Sequence, residues 1–282
     1  MFNIISAMIW DIDPVFFSLG SFELRYYTLC FLGGFIVSYI IMLKVFKREN
    51  LSQDLLDNLS IYIFVGTILG ARLGHCLFYE FDYYKDHPLE MILPFRQTAN
   101  GFELTGFHGL ASHGGAIGII TGLALFCYKT KTNFLWLADR LVIVVAIAGA
   151  LVRFGNFFNS EIIGLPTGSN WGVIFAQVDS VARHPAQLYE AFAYIVLFII
   201  LYRWYFNAKS LKTGTMFGFF LIYLFSARFI IEFVKENQEA FEDAMSYNMG
   251  QLLSIPFILV GIYLIWYGSK QAPKPIPSDK RK

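Results

Sequence analysis

Stretches of about twenty mostly apolar residues recur along this chain of 282 residues, and no other feature limits its fold as much. A helix needs about 20 such residues to cross the hydrocarbon core of a bilayer. Only 15% of the residues are charged, whereas soluble domains carry about a quarter. The sequence therefore predicts an all-α polytopic membrane protein of about seven transmembrane helices, with spans near 26–46, 59–79, 110–128, 136–158, 185–206, 213–234 and 250–268.

The segments between these spans indicate a single transmembrane domain over 1–270. The stretch 80–109 is too long for a tight turn and too polar to cross the bilayer, so we interpret it as an extramembrane arm. A loop at 159–184 is rich in Gly, Ser, Asn and Asp. The Pro- and Lys-rich tail 271–282 is expected to be disordered. The first twenty residues contain no Lys or Arg, so no cleavable signal peptide is predicted.

The distribution of lysine and arginine predicts the orientation of the chain in the membrane. If the span ends alternate between the two sides, thirteen of the 22 Lys and Arg residues lie on one side and four on the other. The remaining five lie within the spans or at their rims. The sequence therefore predicts an N-terminus outside and a C-terminus in the cytoplasm.

Polar side chains recur in the outer halves of the predicted spans. A charge at the centre of a transmembrane helix costs about 2.5–3.5 kcal/mol on insertion scales, so such residues are functional candidates. Asp139 and Arg140 lie near the cytoplasmic end and are expected to snorkel to water. The other polar residues are predicted to form one cluster in the outer half of the membrane. They are Tyr27, Arg72, His113, Arg153, Asn156, Asn159, Glu161, His184, Gln187, Glu190, Arg228 and Glu232.

The arginines in this cluster favour a ligand that carries phosphate. The guanidinium group presents a planar fork of donors that matches phosphate oxygens, and under an apolar roof it suits a lipid with an anionic head group. Structural roles remain open at this point. Arg228 and Glu232 have the i, i+4 spacing of a simple ion pair. Arg72 can pair with Glu80 or with a loop carbonyl, and a histidine in a Gly-rich span can join two helices.

Two other classes of membrane protein compete with a lipid-modifying enzyme. A transporter for an anionic solute or lipid can use the same arginines, but no internal repeat is found and the cluster lies in the outer half instead of at the midplane. An intramembrane hydrolase with Ser112 beside His113 is disfavoured, because adjacent helical residues point in different directions. The three cysteines are widely spaced and no ligand cluster has metal-binding spacing, so neither a disulfide framework nor a metal site is predicted. No cofactor and no nucleic-acid partner is predicted either.

Six sequence blocks, taken in order, resemble the bacterial prolipoprotein diacylglyceryl transferase family, and the resemblance covers nearly the whole chain. It implies an enzyme that transfers the diacylglyceryl group of phosphatidylglycerol to the lipobox cysteine of prolipoprotein signal peptides and releases glycerol phosphate. It also implies a multi-pass protein of the bacterial cytoplasmic (inner) membrane with its active site towards the outer face. The blocks are DPVFFSLGSFELRYYT (13–28), GARLGHCLFY (70–79), SHGGAIG (112–118), RFGNFFNSE (153–161), RHPAQLYEA (183–191) and ARFIIEF (227–233).

Site residues follow from the resemblance, motif by motif. It implies that His113, Arg228 and Tyr27 are catalytic. The His113 imidazole is the candidate base for the thiol proton, because histidine exchanges protons near neutral pH, and an arginine is the open alternative. The resemblance implies a family Tyr four residues before the span-six arginine, where this chain has Leu224. The nucleophile belongs to the substrate peptide and attacks as a thiolate. The implied substrate-binding residues, of which the first would grip the lipid phosphate, are Arg153, Asn156, Asn159, Glu161, Gly164 and Glu232.

Overall fold

The computed structural model describes residues 7–20, 22–93, 95–98, 101–104, 109, 111–237, 241–242 and 245–276. The chain divides into two compact units, one formed by residues 1–49 with 138–282 and the other by residues 50–137. Long helices dominate both units. The sequence prediction of an all-α polytopic membrane protein is thus confirmed.

Helices and short strands alternate along the chain. The helices are α1 (Tyr26–Arg48), α2 (Gln53–Phe78), the short α3 (Phe81–Tyr84), α4 (Ser112–Thr130), α5 (Phe134–Phe158), α6 (Ala186–Asn207), α7 (Thr215–Ile231) and α8 (Met249–Ser269). The strands are β1 (Met8–Trp10), β2 (Val15–Leu19), β3 (Phe22–Arg25), β4 (Phe95–Thr98), β5 (Gly101–Leu104), β6 (Val173–Phe175), β7 (Ala182–Arg183), β8 (Ser210–Leu211) and β9 (Lys274–Pro275).

Six helices of the described residues are long and apolar enough to cross a membrane: α1, α2, α5, α6, α7 with its continuation to Val234, and α8. They correspond to six of the predicted spans. The remaining predicted span, 110–128, corresponds to α4, a helix of 19 residues. This helix contains four glycines and His113 and is not among the six. The count of seven spans and the orientation of the termini remain predictions.

The glycines of α4 have a packing role in the second unit. Gly66, Gly70 and Gly74 of α2 face Gly114 and Gly118 of α4 at intervals of four residues, and Gly122 faces the backbone of Tyr62. A Cβ atom added to Gly70 would lie 2.7 Å from the Cα of Gly118, so no side chain fits between the two helices. Small residues at this spacing allow membrane helices to approach closely. The Gly-rich block 112–118 is therefore explained by helix packing.

Two polar residues near the start of α5 are buried. The Asp139 carboxylate accepts hydrogen bonds from the backbone N–H groups of Gly214 at 2.6 Å and Phe217 at 2.9 Å, and so caps the N-terminus of α7. Arg140 forms an ion pair of 2.7 Å with Glu49. The expectation that Asp139 and Arg140 snorkel to water was wrong, because the fold supplies both with fixed partners.

The described part of the arm at 80–109 is fastened to α2. It contains α3, a 3₁₀ turn at Pro88–Met91 and the hairpin of β4 and β5. Arg72 Nη2 donates to the Tyr84 hydroxyl at 3.0 Å and to the Glu90 carbonyl at 2.8 Å. Arg72 is 4% exposed. The structure thus bears out the scaffolding interpretation of Arg72, with a loop carbonyl as its partner.

The loop at 159–184 is held by a small sheet in the first unit. β6 pairs in parallel with β1 and antiparallel with β7, in the order β1-β6-β7. Phe157, Ile163, Val173 and Phe175 form a buried cluster beneath it, with Trp10 and Leu188 packed against them. This cluster anchors both ends of the loop that follows α5.

The C-terminal tail is ordered further than predicted. Lys274 and Pro275 of β9 pair antiparallel with β8, and the Ile276 amide donates to the Lys209 carbonyl at 2.9 Å. The Ile276 side chain is buried. The predicted disordered tail 271–282 is therefore wrong for 274–276, because prolines favour extended backbone and Ile276 adds an apolar anchor. Residues 277–282 lie outside the described residues.

Candidate active site

Arg153, near the end of α5, is enclosed by partners from its own helix and from α6. Its Nε atom lies 2.7 Å from Glu190 Oε2, and its Nη1 donates to Asn156 Oδ1 at 3.2 Å. Tyr194, one turn after Glu190, lies near the guanidinium. The side chains of Arg153 and Glu190 are 16% and 1% exposed. The charge of Arg153 is therefore compensated inside the protein.

The contact between Arg153 and Glu190 is an ion pair more than a regular hydrogen bond. Despite the short distance, neither carboxylate oxygen of Glu190 accepts a well-aligned hydrogen bond from the described residues. A buried carboxylate in this state depends on the charge of its neighbour. Glu190 is consequently tied to Arg153 more strongly than to any other group described here.

Glu161, just beyond α5, is held by two asparagines. Asn156 Nδ2 donates to Glu161 Oε2 at 3.1 Å, and Asn159 Nδ2 donates to Oε1 at 3.0 Å. The amide of Gln187 on α6 donates to the Glu161 carbonyl at 2.5 Å. A continuous hydrogen-bonded chain therefore runs from Arg153 through Asn156 to Glu161. The structure brings these five sequence-predicted residues together.

Arg228 and Glu232 form the second charged cluster of the first unit. Arg228 Nε lies 3.6 Å from Glu232 Oε1, and its side chain is 33% exposed. That Nε atom has no hydrogen-bond partner among the described residues. Glu232 Oε1 accepts from Lys235 Nζ at 2.8 Å, and Oε2 accepts from Asn248 Nδ2 at 3.2 Å. Glu232 is therefore bound more closely by Lys235 than by Arg228.

Glycines bring backbone segments together at two points of the first unit. A Cβ atom on Gly155 would lie 2.9 Å from Cδ2 of Tyr27, so the glycine lets Tyr27 pack against α5 beside the Arg153 cluster. A Cβ atom on Gly164 would overlap the carbonyl of His184 and lie 2.7 Å from that of Val234. Gly164, predicted as substrate-binding, therefore has a clear packing reason to be glycine.

His113 belongs to the other unit. It lies in the first turn of α4 and is exposed. The side chain of Ser112, the alternative hydrolase residue, lies outside the described residues. Among the described part of the chain, no group of three or more His, Cys, Asp or Glu side chains has the arrangement of a metal site.

An ion pair next to the cluster holds the loop at 159–184. Arg183 Nη2 donates to Asp179 Oδ2 at 2.6 Å, and its Nη1 donates to the Gly164 carbonyl at 3.2 Å. The hydrogen bond from Arg183 lowers the pKa of the Asp179 carboxyl below its ordinary value. The carboxylate in turn raises the pKa of Arg183. The pair fixes the turn that leads into α6.

Sequence reasoning placed Glu190 in the polar cluster without finding its partner, and it missed Lys235 and Asn248 as site residues. A lone carboxylate in an apolar span needs a nearby cation, and this signal points to an arginine without saying which one. Lys235 follows a span end, where a lysine ordinarily faces water. In the folded protein the Lys235 side chain lies beside Glu232 and is 3% exposed, which the sequence does not indicate.

Comparisons with known proteins bear on this site. The sequence profile of a family described as prolipoprotein diacylglyceryl transferase matches residues 14–267. A phosphatidylglycerol–prolipoprotein diacylglyceryl transferase of Bacteroides fragilis is 43% identical over 277 residues, which cover 97% of this chain and 100% of the relative. Proteins of the same name from Tolumonas auensis and Chloroherpeton thalassium are 43% and 40% identical, over 94% and 95% of this chain and 98% and 96% of theirs.

Proposed function

This chain belongs to the prolipoprotein diacylglyceryl transferase family, and from that premise we propose how its residues transfer the diacylglyceryl group of phosphatidylglycerol to a prolipoprotein. The observation that carries the proposal is the hydrogen-bonded chain from Arg153 through Asn156 to Glu161, tied to buried Glu190. It lies within the matched residues 14–267. Arg153, Asn156, Glu161 and Glu190 together form a polar surface, here called the polar wall, and Arg228 supplies a second guanidinium.

Arg228 is the better candidate for binding the lipid phosphate. Its side chain is twice as exposed as that of Arg153, at 33% against 16%. Glu232 lies 3.6 Å from its Nε atom, too far for a hydrogen bond, whereas Arg153 is already held on two helices. A guanidinium with unused donors can bind phosphate oxygens bidentately. The phosphate contact that the resemblance gave to Arg153 is therefore assigned first to Arg228, and Arg153 positions Asn156 and Glu161.

The transfer is a displacement at carbon. The thiol of the prolipoprotein cysteine loses its proton and attacks as a thiolate. A carbon–sulfur bond forms to the glyceryl carbon, and the bond from that carbon to the phosphate oxygen breaks. The leaving group is glycerol phosphate, whose growing negative charge a fixed arginine stabilises. His113 is the candidate base for the thiol proton. Tyr27, packed on Gly155, borders the polar wall.

The protein works in the membrane that supplies its lipid substrate. The six apolar helices support a multi-pass membrane protein. The excess of thirteen Lys and Arg residues over four favours a cytoplasmic C-terminus and an active site towards the outer face of the bacterial inner membrane. Phosphatidylglycerol would then reach the cluster from the outer leaflet.

The test is transfer by purified protein in phosphatidylglycerol-containing micelles, with a lipobox peptide as acceptor and peptide mass as the readout. We expect a mass gain on the cysteine that depends on phosphatidylglycerol. Arg228→Gln should raise the KM for phosphatidylglycerol about tenfold or more. Arg153→Lys should mainly lower kcat, because Lys cannot keep the fork geometry. His113→Gln should abolish transfer near neutral pH.

A matched control is Arg25→Gln, since Arg25 is an exposed arginine whose ion-pair partner among the described residues is the neighbouring Glu23. This variant should retain normal transfer. If the wild-type protein gives no lipid-dependent mass gain, the transferase proposal fails. If Arg228→Gln leaves the KM unchanged while Arg153→Lys raises it, the phosphate contact returns to Arg153.

A further inference from the structure

A buried lysine is the closest partner of Glu232, although none of the sequence blocks includes it. Lys235 Nζ donates to Glu232 Oε1 at 2.8 Å, and the two side chains are 3% and 5% exposed. Burying a lysine is costly unless it is paired. Lys235 is also fixed through its backbone, which bridges to Gly164. This lysine is therefore built into the site instead of lying free on the surface.

The carboxylate between the two cations is held away from Arg228. Asn248 Nδ2 donates to Glu232 Oε2 at 3.2 Å, and Asn248 itself is fixed as the N-cap of α8 by a capping box with Gln251. Gly250 leaves the space that the carboxylate occupies, since a Cβ atom there would overlap Glu232. With Lys235 at 2.8 Å and Arg228 at 3.6 Å, Glu232 is neutralised chiefly by Lys235.

The charge balance of this cluster has a consequence for an anionic ligand. Arg228 and Lys235 carry two positive charges and Glu232 one negative charge, so the three groups sum to one positive charge. The surplus resides on Arg228, the most exposed of the three. Without Lys235 the cluster would be neutral, and Glu232 would be free to pair with Arg228.

We propose that Lys235 is a positioning residue for diacylglyceryl transfer, which holds Glu232 so that Arg228 keeps an uncompensated positive charge for the phosphate of phosphatidylglycerol. The inference rests on the proposed role of Arg228. It assigns to Lys235 an effect on lipid binding through Glu232, without contact between Lys235 and the substrate. Charge on the cluster, and not the presence of a lysine as such, then sets the affinity for the lipid.

The test compares the KM for phosphatidylglycerol in variants that change this charge stepwise. Lys235→Met makes the cluster neutral and should raise the KM about tenfold. Lys235→Arg keeps the charge and should stay within about twofold of wild type. The double variant Glu232→Gln with Lys235→Met restores one positive charge, so its KM should return towards wild type.

A merely structural role for Lys235 predicts the opposite for the double variant, whose KM would be at least as high as that of Lys235→Met. That result, or an unchanged KM in Lys235→Met, would overturn the inference. The control is Lys85→Met, which removes an exposed lysine paired with Asp82 and should leave the KM unchanged.

Removing one partner of a buried ion pair can prevent folding. If Lys235→Met does not fold, Lys235→Gln takes its place, since a Gln amide can still donate a hydrogen bond to the Glu232 carboxylate. Lys235→Gln also makes the cluster neutral, so it should raise the KM, and no change would refute the proposal. If Arg228→Gln also leaves the KM unchanged, the error lies in the proposed site and not in the role of Lys235.

Discussion

Glu190→Gln tests whether the buried partner of Arg153 organises the site. The substitution removes the negative charge and keeps the size of the side chain. Glu190 is 1% exposed and lies 2.7 Å from Arg153, so its loss leaves a buried cation uncompensated. Breaking a buried ion pair in this way costs about 3–5 kcal/mol, whereas an exposed pair is worth about 0–1 kcal/mol. A loss of that size should lower the melting temperature by roughly 5–10 °C.

The same substitution should slow the reaction. Arg153 would no longer be fixed between α5 and α6, and the hydrogen bonds that it shares with Asn156 would loosen. Misplacing a catalytic group by about 1 Å can cost about 100-fold in rate, so we expect kcat to fall by about that factor. Melting is measured by thermal shift in detergent, and kcat by mass gain on a lipobox peptide.

A double variant separates stability from activity. Arg153→Met with Glu190→Leu removes both charges, and replacing a buried ion pair by apolar side chains is often neutral for stability. This variant should melt near wild type and be inactive. Glu23→Gln serves as the control, since Glu23 is an exposed glutamate paired with Arg25. The reasoning is refuted if Glu190→Gln melts and turns over like wild type, or if the double variant melts as low as the single one.

Two further predictions concern the scaffold. Gly118→Ala places a Cβ atom against the carbonyl of Gly66, so we expect a clear drop in melting temperature. The control is Gly115→Ala, whose Cβ atom would lie 3.6 Å from that of Ala71 and which should melt like wild type. Equal melting temperatures of the two variants would contradict the glycine packing. Asp179 has a lowered pKa in the folded state, so its pair with Arg183 stabilises the fold above its ordinary pKa of 3.8 and loses this effect as the pH falls through the lower folded value. Asp179→Asn should therefore cost up to about 1 kcal/mol near pH 7 and nothing at pH values below that folded pKa; a pH-independent difference in thermal shift would count against it.

Features encoded within short stretches of sequence were predicted well. Each apolar run forms a helix because about twenty apolar residues favour one in lipid. Arg153, Asn156 and Glu161 meet because they lie within nine residues at a helix end. The scaffolding role of Arg72 was also accessible, since its partners Tyr84 and Glu90 follow within the next 18 residues.

Pairings across long sequence separations were not accessible. From the sequence Asp139 is expected to reach water, yet it caps α7, whose N-cap residue Gly214 lies 75 positions further along the chain. Likewise, the tail segment that ends at Ile276 is predicted to be disordered, because the sequence does not show that it pairs with β8. In each case the partner is a backbone group, which carries no signal in the sequence.

Arg153 and Arg228 differ in which helix supplies the carboxylate that pairs with each of them, and this difference gives them different roles. Arg153 takes Glu190 from α6, so the ion pair joins two helices and any movement of the guanidinium must strain their packing. Arg228 takes Glu232 from the end of its own helix, four residues on, so the pair constrains no other helix directly. An arginine that locks two helices is suited to hold fixed geometry, whereas an arginine loosely paired along one helix can adjust to a bound phosphate and release it as a leaving group.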